Sequence, residues 1–491
     1  MKFPTLLAAA LCVCLPRLAA ASPPPNIVVI LADDIGYGDL ACYGATKVRT
    51  PNLDRLAREG VRFTDAHAPA SVCTPTRYAL LTGRYAWRQP GTSIAPGDAP
   101  LLIEPGTVTL ASALQSAGYA TGLVGKWHLG LGETAPDFNA DLKPGPLELG
   151  FDHAFYIPAT GDRVPCVFVE DHRVVGLDPA DPIAVSYAQR LDGEPTGAER
   201  PEWLKIKGDR NHSDSIVNGI SRIGYMTGGH RARWVDETIA DTLASRAAAF
   251  IDRQTRGKPF FLLLTTHDIH EPMVPNPRFR GTSGCGWRGD AIHQLDWTVG
   301  EVLAALERRG LARDTLVIFS SDNGGAIKDT YDDGTNALHA LQPPNGALRG
   351  TKGQLYEGGH RVPFIARWPA RIPAGRESDA LFCLVDLLPT FAALAGTKLP
   401  AGAAPDGLDL QSTLLLETGA QGRSHLVLQG NRQAPLALRV EDWKFIETPS
   451  GPELYNLRAD PGETRDLAAA EPGRVKTLAA QLAAERAKSL P

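Results

Sequence analysis

The run Asn26-Ile27-Val28-Val29-Ile30-Leu31-Ala32 begins after three prolines and stops at two acids, Asp33-Asp34. A short, continuous apolar segment without alternation predicts a strand buried on both faces, as in a parallel sheet covered by helices. The same pattern recurs downstream. Tyr119 to Val124 leads into Gly125-Lys126-Trp127-His128, and Phe260 to Thr265 ends in Thr266-His267-Asp268-Ile269-His270. Leu316 to Phe319 ends in Ser320-Ser321-Asp322-Asn323-Gly324-Gly325, and Val362 to Trp368 reads as one more strand. Polar clusters thus fall just after strands, and ligands in open α/β sheets bind outside those carboxyl ends.

Helices alternate with these strands. Thr50-Pro51 opens one through Arg58, with a capping residue and a first-turn proline, and Gly60 stops it. Thr109 to Ala117 is a second, and the amphipathic run Ile292 to Arg308 is a third. The expected fold class is α/β, a large mixed, mainly parallel sheet sandwiched by helices. Pro400 to Asp409 reads as a linker. Beyond it, Leu426 to Gln429, Leu436 to Ile446 and a helix from Arg474 to Lys488 predict a small C-terminal α+β subdomain with an antiparallel sheet. The expected organisation is a signal peptide at 1–21, a main domain at 26–398 and a C-terminal subdomain at 410–491. An insertion at about 161–233, rich in Gly, Pro and charge, would lie near the substrate mouth.

A chain of 491 residues with 21% charged residues and a net charge of −5 offers no bulk electrostatic case for nucleic-acid binding. Lys2, the apolar stretch Leu6 to Leu15 and Ala19-Ala20-Ala21 predict a cleaved signal and export, to the periplasm or outside the cell. No later segment is apolar for long enough to span a membrane. Of seven cysteines, Cys12 and Cys14 leave with the signal. Cys42, Cys166, Cys285 and Cys383 are scattered; they give no zinc spacing, and their pairing stays open.

The remaining cysteine lies in Ser71-Val72-Cys73-Thr74-Pro75-Thr76-Arg77, followed by Leu80-Leu81-Thr82-Gly83-Arg84. Pro75 suits a first helical turn, which sets Cys73 just before a helix start whose N–H groups would face an oxyanion. Arg77 falls one turn later on the same side, its guanidinium free to neutralise an anion near residue 73. The box alone is also compatible with a buried thiol beside a helix cap. Together with L-T-G-R it resembles the signature of the type I sulfatases, of the alkaline phosphatase superfamily, whose cysteine a maturation enzyme converts to formylglycine. The resemblance implies a hydrated aldehyde with two hydroxyls: one attacks sulfur, and the other loses its proton and expels sulfate.

Asp33, Asp34, Asp322 and Asn323 offer hard oxygen ligands, which select calcium or magnesium over zinc and here favour calcium. Either acidic pair alone could cap a turn. Both segments, I-L-A-D-D-I-G-Y-G-D-L and S-S-D-N-G-G, resemble the family's metal-binding segments, with the modified Cys73 adding an oxygen. The resemblance further implies that Lys126 contacts sulfate and that His128 bonds the formylglycine hydroxyl and takes the releasing proton. It sets His270 near the ester oxygen and has Lys352, in L-R-G-T-K-G-Q-L-Y-E-G-G-H-R-V-P, bind sulfate and assist the leaving oxygen. His267 reads as a structural neighbour more than a substrate contact, and Asp296 and Trp297 as packing. The expected activity is arylsulfatase-type hydrolysis of a sulfate monoester, with an aryl sulfate, sulfated small molecule or sulfated glycan as substrate. A phosphate or phosphonate monoester hydrolase on the same scaffold, or a non-catalytic sulfated-glycan binder, are the alternatives.

Overall fold

The computed structural model describes residues 24–255, 257–327, 330–333 and 342–488. The expected signal at 1–21 lies outside them. Ten strands form the main sheet: β1 (Asn26–Ala32), β2 (Val61–Phe63), β3 (Ala120–Lys126), β4 (His153–Ile157), β5 (Val169–Glu170), β6 (Arg173–Val174), β7 (Phe260–Thr265), β8 (Thr315–Ser321), β9 (Phe364–Arg367) and β10 (Arg376–Ser378). Their order is β10-β2-β9-β8-β1-β7-β3-β4-β5-β6. β1 is central and runs parallel to β7 and β8, in register Val28 to Leu262 and Val28 to Val317. β3 and β4 continue the parallel set, whereas β9 joins β8 antiparallel. The sheet is therefore mixed and mainly parallel at its core, as the buried apolar runs require. Every residue of β7 and β8 is buried, and β1 is buried from Ile27 onward.

Helices α1 (Pro51–Arg58), α2 (Cys73–Thr82), α3 (Leu110–Ser116), α4 (Ile239–Asp252), α5 (Gly286–Arg308) and α6 (Leu387–Leu394) complete the main body. α5 starts six residues before the expected Ile292, because its first turns are held by polar contacts rather than an apolar stripe. Arg288 reaches Asp39, and Asp290 accepts from Gly281 N and Ser283 N. Asp296 is buried and structural, as expected. Its carboxylate accepts from Asn52 N and Leu53 N at 3.0 and 2.9 Å and so caps α1 from another helix. Asp296→Ala is expected to cost about 1–2 kcal/mol of stability, read by chemical denaturation, with turnover unchanged.

The C-terminal sheet comprises β11 (His425–Gln429), β12 (Leu436–Val440), β13 (Trp443–Ile446) and β14 (Glu453–Asn456), all antiparallel, with α7 (Pro472–Ala487) against it. Leu436 to Ile446, read as one alternating segment, is a hairpin folded at Glu441-Asp442, where Glu441 takes φ 50°. Within the predicted insertion, β5 and β6 extend the main sheet, and further two-stranded ladders pair Val217 with Ile220 and Val185 with Met226. Cys42, Cys166, Cys285 and Cys383 are all free thiols. No helix among the described residues is long and apolar enough to cross a membrane.

Candidate active site

Because β1, β3, β7 and β8 are parallel, their carboxyl ends open on one edge, and the polar clusters converge there. Asp33 and Asp34 follow β1, Lys126 ends β3 with His128 two residues on, and Asp322 and Asn323 follow β8. His267 and His270 follow β7. Two non-glycine residues at this edge adopt left-handed backbone, Asp34 (φ 64°) and His128 (φ 57°), a strain that functional sites tolerate. Gly125 (φ 114°) is obligatory: a Cβ there would lie 1.8 Å from Thr265 O on the neighbouring strand.

Cys73 is the first residue of α2, not the residue before it, and Pro75 is the third. Proline is accepted there because the first turn's N–H groups lack intrahelical partners anyway. The thiol is buried, and its Sγ lies 3.3 Å from His128 Nδ1. His128 Nε2 is 2.9 Å from Ala95 O and donates to it, so Nδ1 carries the lone pair that faces residue 73. Burial, seconded by the Lys126 charge, holds the imidazole well below its ordinary pKa, and it is neutral.

The guanidinium of Arg77 is not free, as the sequence reading has it. Nε and Nη2 donate to Asp322 Oδ2 at 3.0 and 2.7 Å, and Nη1 donates to Lys126 O at 2.8 Å. Its charge still bears on residue 73, but its donors orient Asp322 and Lys126. Lys126 Nζ lies 2.6 Å from Asp33 Oδ2, and Lys352 Nζ lies 2.7 Å from Asp34 Oδ1. Asn323 Nδ2 donates to Asp34 Oδ1 at 2.8 Å.

Carboxylate oxygens of Asp33, Asp34 and Asp322 lie within 4.8 Å of one another, all buried. Burial lifts Asp33 and Asp322 above the ordinary carboxylate range, although Lys126 and Arg77 oppose the rise. For Asp34, burial also acts upward, but Lys352, His270 and Lys126 outweigh it and hold the carboxyl low. Two buried acceptors are orphaned, Asp33 Oδ1 and Asn323 Oδ1. Orphaned oxygens beside three clustered carboxylates fit a hard divalent cation; His267 and His270 also bring ligand-type nitrogens within 4.8 Å of Asp33.

His270 Nδ1 is bonded to Glu271 O at 2.6 Å, which leaves Nε2 for a ligand. Gly161 packs so closely on His267 that a Cβ would meet Nε2 at 2.3 Å, His267 Nδ1 has no hydrogen-bond partner, and the ring groups with Asp33 and His270 within 4.8 Å. The sequence reading missed a second cluster beside His270. Asp162 pairs with Arg163 at 2.6 Å and with His212 Nε2 at 3.5 Å, and Glu271 closes the group within 4.8 Å. One signal was available: Asp162-Arg163 follow shortly after β4, whose carboxyl end opens on the same edge.

A family model described as Sulfatase matches residues 25–397. The chain belongs to the sulfatase family. It is 48% identical to an N-acetylgalactosamine-6-O-sulfatase of Bacteroides thetaiotaomicron, covering 93% of this chain and 92% of that one. To human arylsulfatase A it is 36% identical, over 91% and 84% of the two chains. A solved Bacteroides thetaiotaomicron structure, described under the metabolism of multiple glycosaminoglycans, superposes with a TM-score of 0.92 at 47% identity, covering 95% and 100%. The family assignment expected from the C-x-P-x-R box and the two metal-type segments is borne out, and the protein is a sulfuric ester hydrolase. Membership in the sulfatases is consistent with a metal and with a formylglycine.

Proposed function

We propose that this sulfatase removes the 6-O-sulfate of N-acetylgalactosamine units in a sulfated glycan, using a formylglycine made from Cys73 and a bound calcium ion. What carries the reading is likeness to the Bacteroides enzyme of that name across nearly the whole of both chains. The buried thiol beside a neutral histidine, together with the cluster of three buried carboxylates, supports it. Residues 26–398 are the catalytic unit in this reading and 410–491 its subdomain. Residues 1–21 direct export to the periplasm or beyond, and a maturation enzyme acts on Cys73.

Calcium would be held by Asp33, Asp34, Asp322, Asn323 and residue 73, and would supply two positive charges to the sulfate oxygens. The hydrated aldehyde would supply an attacking hydroxyl and a second one whose deprotonation frees sulfate. The chain's own residues do the rest. Three cations, Arg77, Lys126 and Lys352, balance three carboxylates, so the side chains alone sum to zero and any bound cation makes the site attractive to an anion. His128 Nδ1 is the atom aimed at residue 73 and accepts its proton. His270 Nδ1 donates to Glu271 O, so the ring would need protonation at Nε2 to donate to the ester oxygen. Lys352, whose side chain is 11% exposed, reaches furthest toward solvent among the three cations and stabilises the leaving oxygen.

His128→Ala is expected to lower kcat roughly 10²- to 10⁴-fold, measured by sulfate release under saturating substrate. The substrate reading is tested by comparing sulfate release from N-acetylgalactosamine 6-sulfate and 4-sulfate with phosphate release from an aryl phosphate. Preference for the 6-sulfate supports it. A large preference for the phosphate ester would favour the phosphatase alternative.

A further inference from the structure

Away from the reacting atoms, a buried ionic network joins the C-terminal sheet to the two segments that carry Cys73 and Lys352. His67, Glu357 and His360 place ligand-type atoms within 4.8 Å of one another, all buried, which on spacing alone resembles a metal site. Lys444 excludes that. Its Nζ lies 2.9 Å from Glu357 Oε1, 2.9 Å from His360 Nε2 and 2.8 Å from Glu463 Oε1, so an ammonium fills the space an ion would need.

The two histidines each sit between several partners. His360 Nε2 lies 2.9 Å from Lys444 Nζ and 3.1 Å from Leu355 O, His360 Nδ1 meets His67 Nδ1 at 3.0 Å, and His67 Nε2 lies 2.9 Å from Asp65 Oδ1 and 3.1 Å from Arg439 Nη1. Arg439 closes the chain with two 2.6 Å bonds to Asp65, and Arg361 sits 3.3 Å from Glu357. Asp65, Glu357 and Glu463 are thus matched by Lys444, Arg439 and Arg361. The charges balance, and removing one member strands a buried charge.

Its members grip the catalytic segments. Glu463 accepts from Glu357 N at 2.6 Å, and Arg349 donates to Glu463 O at 2.8 Å. Gly353 N, next to Lys352, donates to Ser71 O at 2.8 Å, two residues before Cys73, and Ser71 N donates to Gln429 O of β11 at 2.8 Å. The short helical turn Glu357–His360 packs on the segment carrying Asp322 and Asn323: a Cβ on Gly324 would lie 1.9 Å from Gly358 O. We propose that Lys444 is a positioning residue, through which the C-terminal sheet fixes the loop presenting Lys352 against the segment leading to Cys73. The inference rests on the reading of Lys352 as a sulfate-binding group.

The test is a double-mutant cycle in the full matured enzyme with Lys444→Met, Lys352→Ala and the pair, alongside hydrogen exchange of each. Lys444→Met is expected to lower kcat/KM on an aryl sulfate about 10-fold and to weaken inhibition by inorganic sulfate. The double variant should be no worse than Lys352→Ala alone, and amides 349–361 should exchange faster while β1 stays protected. Losses that multiply in the double variant, unchanged exchange at 349–361, or no loss from Lys444→Met would overturn the proposal. If Lys444→Met does not fold, Glu463→Gln, which keeps the side chain's shape, enters the same cycle under the same criteria. The exchange readout needs no turnover. Faster exchange at 349–361 with inorganic sulfate inhibition unaltered by Lys352→Ala would sink the reading of Lys352 and leave the mechanical link standing.

Discussion

Cys73→Ala is expected to reduce sulfate-ester turnover at least ~10³-fold while leaving the fold intact. The side chain is buried at the first position of α2, where alanine fits without strain and leaves a gap no larger than one sulfur atom. Thermal unfolding should shift by an amount worth about 1 kcal/mol or less. Apart from His128 Nδ1, which faces Cys73 Sγ, the surrounding groups do not depend on residue 73 for their partners. His128 stays tied to Ala95 O, Arg77 to Asp322 and Lys126 O, and Lys352 to Asp34. An intact site that cannot turn over substrate isolates residue 73 as the nucleophile's source. Wild-type turnover in the alanine variant would remove residue 73 from the chemistry.

Asp322→Ala should damage stability and activity together. The carboxylate takes two bonds from the Arg77 guanidinium and is one of three clustered within 4.8 Å. Its removal takes two of the three hydrogen bonds from a buried guanidinium, a loss of about 3–5 kcal/mol by comparison with other broken buried pairs. Turnover should fall at least ~10²-fold. The diagnostic readout is thermal unfolding with and without a chelator. In the unmutated enzyme, chelation should lower Tm and added calcium should restore it, because a ligand that binds only the folded state stabilises it. In the variant both treatments should do little. A variant whose Tm still responds to calcium like the parent would show that the cation, if bound, sits elsewhere.

The sequence was most readable where chemistry sits at the ends of long buried strands. Seven- and six-residue apolar runs have one plausible environment, and the residue types that follow them are costly to bury without purpose. That logic set Asp33, Asp34, Lys126, His128, His270, Asp322 and Asn323 at strand ends, and the resemblance to the type I sulfatases gave them their roles. It was silent on Asp162, Arg163 and His212, which belong to a region of two- and three-residue strands too short to carry a period. Arg77 was recognised but its partner was not, because Asp322 lies 245 residues away. Lys444 illustrates the same limit. On β13 it looks like any outward-facing lysine, and only pairing with Glu357, 87 residues earlier, reveals a buried charge. The hairpin at Glu441-Asp442 escaped notice because neither residue belongs to the Asn-Gly type that ordinarily marks such turns.

The most direct measurement is the mass of the peptide carrying residue 73, taken from a natively expressed preparation whose sulfate-releasing rate has been recorded. The expected result is an aldehyde, or its hydrate, in place of the thiol, in a fraction that rises and falls with specific activity across preparations. An unmodified thiol in a fully active preparation would contradict the formylglycine mechanism.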